Sequence, residues 1–199
     1  MRAFFRRTFH LIRVFLRAYR AHWFAVPAAA IAAVVSTFSA ATLMLLISPL
    51  AHHSLSNGKA ILVNAVVAPL IAYVLYLLCY YSQMYRRERP TLLDETGAVS
   101  EVKLREWFRV VKYDYIAHLP SDTYLIALAG LAQAVLESQG TPIFWAVLGS
   151  QLVDDLITFL KEPAIWGGAK GLVAWESKKD TTLLQRTIST VRREQEPKL

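Results

Sequence analysis

Apolar residues are gathered in four long blocks along the chain rather than in short alternating runs. Residues 23–49 and 61–84 contain no Asp, Glu, Lys, Arg or His. Residues 121–139 and 142–160 form two weaker blocks, each of which carries two acidic residues. Because a helix rises ~1.5 Å per residue, about 20 residues cover the ~30 Å hydrocarbon core of a bilayer. The pattern therefore predicts an all-α integral membrane protein, a bundle of four transmembrane helices.

Residues 1–22 have a different pattern, in which apolar and basic residues each recur at spacings typical of one helix face. The basic row consists of Arg2, Arg6, Arg13, Arg17 and Arg20. We expect an amphipathic helix that lies in the headgroup plane and binds the anionic lipid of the bilayer through these arginines. The alternative is a cytosolic helix that packs on a partner subunit.

The polar stretches between the blocks predict the domain organisation. Residues 23–160 form the four-span bundle, with a cytoplasmic link at about 86–118, and residues 161–199 form an interfacial segment and a charged cytoplasmic tail. Ser100 is expected to precede a helix that Pro120 breaks, because proline removes a backbone donor and clashes with the preceding turn. The third and fourth blocks form either two full spans or a re-entrant hairpin.

Positive charge lies mainly outside the blocks, in the amino terminus, in residues 86–112 and in the tail, and the net charge is +7. Basic segments stay on the cytoplasmic side, so both chain ends are expected in the cytoplasm of a cell whose cytoplasmic (inner) membrane holds the protein. Because the arginines adjoin a spanning block, we expect no nucleic-acid partner. Cys79 is the only cysteine, which excludes an intrachain disulfide.

Eight polar residues at or near membrane depth are candidates for a solute pathway or a coupling site: Asp114, His118, Asp122, Asp154, Asp155, Asn64, Gln133 and Gln151. An ionisable side chain inside a bilayer is costly and by default marks a function or a partner. Histidine titrates near neutral pH, which suits proton-coupled transport. The alternative is that the acids cap helices or pair with lysine and arginine, while the amides bond between helices. The spacing matches no metal-site signature, so neither a metal nor another cofactor is expected.

Two stretches carry a resemblance to a known family. The end of the second block, from Ile71 to Arg86, is similar to the small four-helix L-alanine exporter family. The stretch from Asp114 to Tyr124, with its aspartates, aromatic residues and proline, is similar to the same family, and the likeness spans residues 60–160. It implies export of a small amino acid but assigns no substrate residue. The basic amino-terminal helix, the paired aspartates and the longer tail depart from the family pattern.

The predicted function is transport of a small solute, most simply export of a small amino acid or a similar metabolite, by a single chain or a homodimer. The alternative is a non-catalytic accessory subunit of a larger membrane complex. An enzyme is not expected, because no nucleophile, base or metal motif such as GxSxG occurs in the sequence.

Overall fold

A computed structural model describes residues 16, 17 and 19–195, and their side chains except those of residues 153 and 180–195. The predicted amino-terminal helix therefore lies largely outside the described residues, as do Arg2, Arg6 and Arg13 of its basic row. Arg17 and Arg20 are described and are exposed.

Four long helices make up the described chain. Helix α1 spans Ala25–Ser54, α2 spans Asn57–Leu92, α3 spans Glu101–Ser138 and α4 spans Ile143–Gln195. Among residues 19–195 there is no strand, only one isolated bridge between Leu93 and Val99. The prediction of an all-α fold is confirmed.

The helices form an antiparallel ring, because each packs along the next and α4 closes against α1, whereas α2 and α4 share few contacts. Short links at residues 55–56 and 139–142 lie at one end of the bundle, which we call the short-link end. The 93–100 link lies at the opposite end, which we call the terminal end.

Helix α1 packs through small residues. Its buried positions are Ala25, Ala28, Ala29, Ala32, Ala33, Ser36, Thr37, Ala40, Ala41, Met44 and Ser48. Small side chains let helix backbones approach closely. Such close packing drives helix association in lipid, where no hydrophobic effect acts between helices. The small residues of this helix therefore form its packing face.

The distribution of polarity is the reverse of that in a soluble protein. Leu46, Leu78 and Leu152 are 71%, 66% and 69% exposed, whereas Asp114 and Glu162 are 0% exposed. An apolar surface around a polar interior fits lipid rather than water. All four helices are long and apolar enough to cross a membrane, which suggests a multi-pass membrane protein.

The prediction that Pro120 breaks a helix is wrong. Helix α3 begins after Ser100, as predicted, but continues through Pro120 to Ser138. The Ser121 hydroxyl donates to the His118 carbonyl at 2.9 Å, and the Thr123 hydroxyl donates to the Leu119 carbonyl at 2.7 Å. Pro120 itself leaves the carbonyl of Ile116, four residues earlier, without its usual helical donor, and apolar helices tolerate such a loss where neighbouring groups pack closely.

Two other segments are more helical than the sequence suggested. Much of the 86–118 link is helix, since α2 extends to Leu92 and α3 starts at Glu101. The remaining turn is closed by Asp94, whose carboxylate accepts hydrogen bonds from Thr96 and from the Ala98 backbone. The hydrogen bond from the Thr96 side chain is the largest of the causes that lower the pKa of Asp94. Helix α4 continues through Pro163 into the predicted tail.

Candidate functional site

One face of α3 carries three ionisable side chains at helical spacing. Asp114, His118 and Asp122 are four residues apart, and all three are buried. Residues at intervals of four lie one above another on a helix, and this alignment survives because α3 is continuous through Pro120. His118 Nδ1 lies 3.6 Å from an Asp122 oxygen, and His118 Nε2 lies 3.8 Å from an Asp114 oxygen. The histidine therefore sits between two carboxylates.

Glu162 of α4 completes this cluster from the opposite side. Its Oε2 lies 3.2 Å from His118 Nε2, and the residue is fully buried. Its Oε1 accepts a 2.6 Å hydrogen bond from the Tyr76 hydroxyl of α2. Asp114 is held in the same way, because its Oδ2 accepts a 3.0 Å hydrogen bond from the Tyr81 hydroxyl. Two tyrosines of α2 thus fix the carboxylates of α3 and α4.

Lys161 neutralises Asp122, the third carboxylate of the cluster. Its ammonium contacts Asp122, and it donates to the Ser121 hydroxyl at 3.1 Å. Both charged side chains are largely buried, at 15% and 11% exposed. A buried charge is tolerated when it is paired and hydrogen-bonded, so this pair accounts for Asp122.

A small cavity lies next to this cluster, toward the short-link end. Its volume is about 20 Å³ and its lining includes Ser36, Tyr73, Tyr76, Asp122, Gln151, Asp154, Asp155 and Thr158. The Thr37 hydroxyl donates to Asp155 at 3.2 Å, and the Thr158 hydroxyl lies 3.4 Å from an Asp154 oxygen. Both adjacent aspartates therefore border one cavity, and neither contacts Lys161 within ion-pair distance among the described residues.

A second polar cluster lies near the short-link end. The Asn64 amide donates to the Ser48 hydroxyl at 2.9 Å and to Glu137 at 3.0 Å. The Gln133 amide donates to the other oxygen of Glu137 at 2.7 Å. Asn64 thus connects α1, α2 and α3, as expected of an amide that bonds between helices, whereas the Gln133 bond stays within α3.

A third cluster closes the terminal end. Lys170 of α4 contacts Glu88 of α2, and the Trp166 indole donates to the same carboxylate at 3.3 Å. His22 interacts electrostatically with both Lys170 and Glu88. Burial and the nearby Lys170 cation lower the pKa of His22 below its ordinary value, although Glu88 opposes this.

The eight predicted residues are thus divided between two places. Six of them, Asp114, His118, Asp122, Gln151, Asp154 and Asp155, lie in or beside the cavity, while Asn64 and Gln133 lie at the short-link end. Between the two lies a layer of buried apolar residues: Ala40, Ala41, Met44, Ala68, Ala72 and Val147. Toward the terminal end, a second cluster of buried apolar and aromatic residues, which includes Tyr80, Met84 and Trp107, packs around the Glu88 cluster.

Glu162 and the tyrosine anchors are the functional candidates that sequence reasoning missed. Glu162 stands beside Pro163, in a stretch predicted to be an interfacial segment, and no local pattern sets it apart. Tyr76 also has a packing role, because its ring stacks on that of Tyr80 with centroids 5.7 Å apart. Only the packing of α3 on α4 reveals that these side chains meet His118.

Comparisons with protein-family models, with curated proteins and with solved structures found no match for this chain.

Proposed function

We propose that the protein is a multi-pass membrane transporter that exports a small amino acid or a similar polar metabolite. The observation that carries this proposal is the cavity between the helices, whose lining includes Asp154 and Asp155 together with the donors Tyr73 and Gln151. The Tyr73 hydroxyl and the Gln151 amide nitrogen are buried and complete no hydrogen bond of standard geometry with the described residues. A buried polar atom without a partner is expensive, so such atoms are explained when a ligand satisfies them.

The lining is complementary to an amino-acid zwitterion. The aspartates would accept hydrogen bonds from an ammonium group, while Tyr73 and Gln151 would donate to a carboxylate. This division of acceptors and donors agrees with the solute that the resemblance to L-alanine exporters implies.

The depth of the aspartates supports a transport role. Asp155 is 12 residues from the start of α4, which places it ~18 Å from the short-link end, about midway across a ~30 Å hydrocarbon core. Midplane sites between helices are usual for secondary transporters. We propose that one of the two carboxylates carries an exchangeable proton that couples solute movement to the proton gradient.

The dimensions of the cavity imply that the bundle opens during transport. About 20 Å³ holds roughly one water molecule, so a bound amino acid requires helix movement or a pathway widened by a second copy of the chain. The apolar layer around Met44 would close the route to the short-link end in this closed state.

We further propose that the chain ends face the cytoplasm of the cytoplasmic (inner) membrane. The terminal end carries the basic residues of the 86–112 stretch, and anionic lipid would bind the basic amino-terminal row there. The short-link end would then face outward.

An efflux assay tests the proposal. Vesicles that contain the purified protein would be loaded with radiolabelled L-alanine, and release would be measured with and without a pH gradient. Asp154→Asn and Asp155→Asn remove one charge each with little change of shape, and at least one should reduce gradient-driven efflux tenfold or more. Glu101→Gln is the matched control, because its only described partner is Arg105 at the exposed start of α3. Normal efflux by both asparagine variants would refute the proposal.

A second candidate function is an accessory subunit of a membrane complex. It is favoured by an open groove of about 640 Å³ at the terminal end, between α2, α3 and α4, whose lining includes Glu88, Lys103, Trp107 and Lys170. Purification in a mild detergent distinguishes the two, since an accessory subunit should elute with other chains and a transporter should elute alone or as a homodimer.

A further inference from the structure

Three buried atoms converge beside the cavity, and none of them completes a hydrogen bond of standard geometry with the described residues. They are Asp114 Oδ1, His118 Nε2 and Glu162 Oε2, and their residues are 0%, 3% and 0% exposed. These ligand-type atoms all lie within 4.8 Å of one another. Unsatisfied polar atoms at such depth are rare and need an explanation.

Their separations suit one metal ion. His118 Nε2 lies 3.2 Å from Glu162 Oε2 and 3.8 Å from Asp114 Oδ1. Two ligands at ~2.0–2.2 Å from a tetrahedral metal are about 3.3–3.6 Å apart, so these two separations need shifts of only a few tenths of an ångström. The two carboxylates lie within 4.8 Å of each other and would both turn toward the ion.

The far atom of each of these side chains is already held by another group. Asp114 Oδ2 accepts from Tyr81, Glu162 Oε1 accepts from Tyr76, and His118 Nδ1 lies 3.6 Å from Asp122. Metal-binding histidines and carboxylates are oriented by such outer partners, with a carboxylate on the second ring nitrogen of the histidine. Here the two carboxylates each have an orienting hydrogen bond and the histidine faces a third carboxylate, so the remaining atom of each side chain points to a common centre.

Charge balance favours a divalent ion. Lys161 pairs with Asp122, so Asp114 and Glu162 are left as two carboxylates around one imidazole. A divalent cation would neutralise both while His118 stays neutral. Carboxylate oxygens suit manganese and imidazole suits zinc, whereas magnesium and calcium prefer oxygen alone.

We propose that Asp114, His118 and Glu162 form a binding site for one divalent first-row metal ion, Zn²⁺ or Mn²⁺, that links α3 to α4. The sequence alone led us to expect no metal, because Glu162 was not among the candidate residues. The proposed site differs from that expectation by including Glu162. It does not depend on transport, because binding is measurable in detergent without a solute or a gradient.

Metal retention by the purified protein is the test. The exposed neighbours His52 and His53 could bind metal adventitiously, so the other four histidines, His10, His22, His52 and His53, are first replaced by alanine. This background chain, purified without a polyhistidine tag and stripped with a chelator, is equilibrated with Zn²⁺ or Mn²⁺, desalted and analysed for metal. We expect one retained ion per chain for at least one of the two metals, and none when Mg²⁺ is used.

Single substitutions then assign the ligands. In the background chain, Glu162→Gln and His118→Ala should each weaken binding at least tenfold. Asp155→Asn is the matched control, because it removes another carboxylate from the interior face of α4 and should leave the affinity unchanged. The proposal is overturned if the background chain retains neither metal, or if both ligand variants bind as tightly as it does. Retention of neither metal would instead favour a protonated His118 that bridges the two carboxylates.

X-ray absorption at the metal edge keeps the proposal testable where the ligand variants do not fold. In the background chain His118 is the sole histidine, so the spectrum of the loaded protein should contain the scattering of one imidazole together with oxygen ligands. A spectrum with oxygen ligands alone would overturn the site. The two proposals fail separately. If the protein binds the metal but shows no alanine efflux, only the transport proposal is contradicted.

Discussion

At the residue scale, the interior is organised by hydroxyl and amide donors that hold buried carboxylates. Glu162 and Asp114 are bonded by tyrosines, and Glu137 is bonded by Asn64 and Gln133. Burying an ionised or polar group costs several kcal/mol unless it is hydrogen-bonded, and the cost rises where no water can replace the bond. The donors are therefore as necessary to the fold as the apolar contacts.

The Tyr76 hydroxyl provides a test of this dependence. Tyr76→Phe removes the 2.6 Å bond to Glu162 and leaves a buried carboxylate oxygen unsatisfied, which should destabilise the protein by about 1–3 kcal/mol. Thermal unfolding in detergent should show a midpoint lowered by several degrees. Tyr124→Phe is the control, because that side chain is 69% exposed and the loss of its hydroxyl leaves no buried carboxylate unsatisfied. Equal midpoints for the two variants would contradict the assigned role of Tyr76.

The sequence predicted part of the site because part of it is local. Asp114, His118 and Asp122 are recognisable from their spacing alone, since one continuous helix places intervals of four on one face. Glu162 is 44 residues beyond His118 along the chain, so their meeting depends on how α3 packs against α4. Lys161 pairs with Asp122 of α3 rather than with Asp154 of its own helix. This pairing also depends on the packing of α3 against α4, which the sequence does not reveal.

At the element scale, the prolines had the least predictable effect. Local rules place a helix end before Pro120, yet α3 continues, and they place a kink at Pro69, which lies buried inside α2. Helix starts were easier, because Ser100 before Glu101 is a local signal and α3 does begin there. Proline costs a helix one backbone bond, and tertiary packing decides whether that cost is tolerated.

Gly130 has the packing role that follows from Pro69. Proline has no N–H, so the carbonyl of Ala65, four residues earlier in α2, lacks its usual helical donor. Gly130 of α3 lies directly against that carbonyl, and a Cβ at this position would overlap its oxygen. The absence of a side chain therefore lets α2 and α3 approach closely at their crossing.

Gly130→Ala should accordingly destabilise the bundle. The obstructing atom is backbone, which cannot rotate away, so separating the helices should cost about 1–3 kcal/mol despite the better helix propensity of alanine. The unfolding midpoint in detergent is the measurement. Gly168→Ala, where a Cβ meets nothing within 4 Å, should leave stability unchanged or slightly increased. A Gly130→Ala chain as stable as Gly168→Ala would show that the crossing is looser than described.

At the scale of the whole molecule, the antiparallel ring divides the bundle into two unlike ends. Both short links lie at one end, while the basic 86–112 stretch and the longer link lie at the other. Helices α3 and α4 pack against each other, and each is long and apolar enough to cross a bilayer.

Cysteine accessibility tests this arrangement in intact cells. In a chain that carries Cys79→Ala, Thr141→Cys places a thiol in the 139–142 link, and Glu95→Cys places one in the exposed 93–100 link. If the short-link end faces outward, a membrane-impermeant maleimide should label Thr141→Cys in intact cells and Glu95→Cys only after the membrane is permeabilised. The reason is the positive-inside bias, which keeps the basic stretch around Glu95 in the cytoplasm. The reverse pattern would invert the topology, and labelling of both sites only after permeabilisation would establish a hairpin that never reaches the far side.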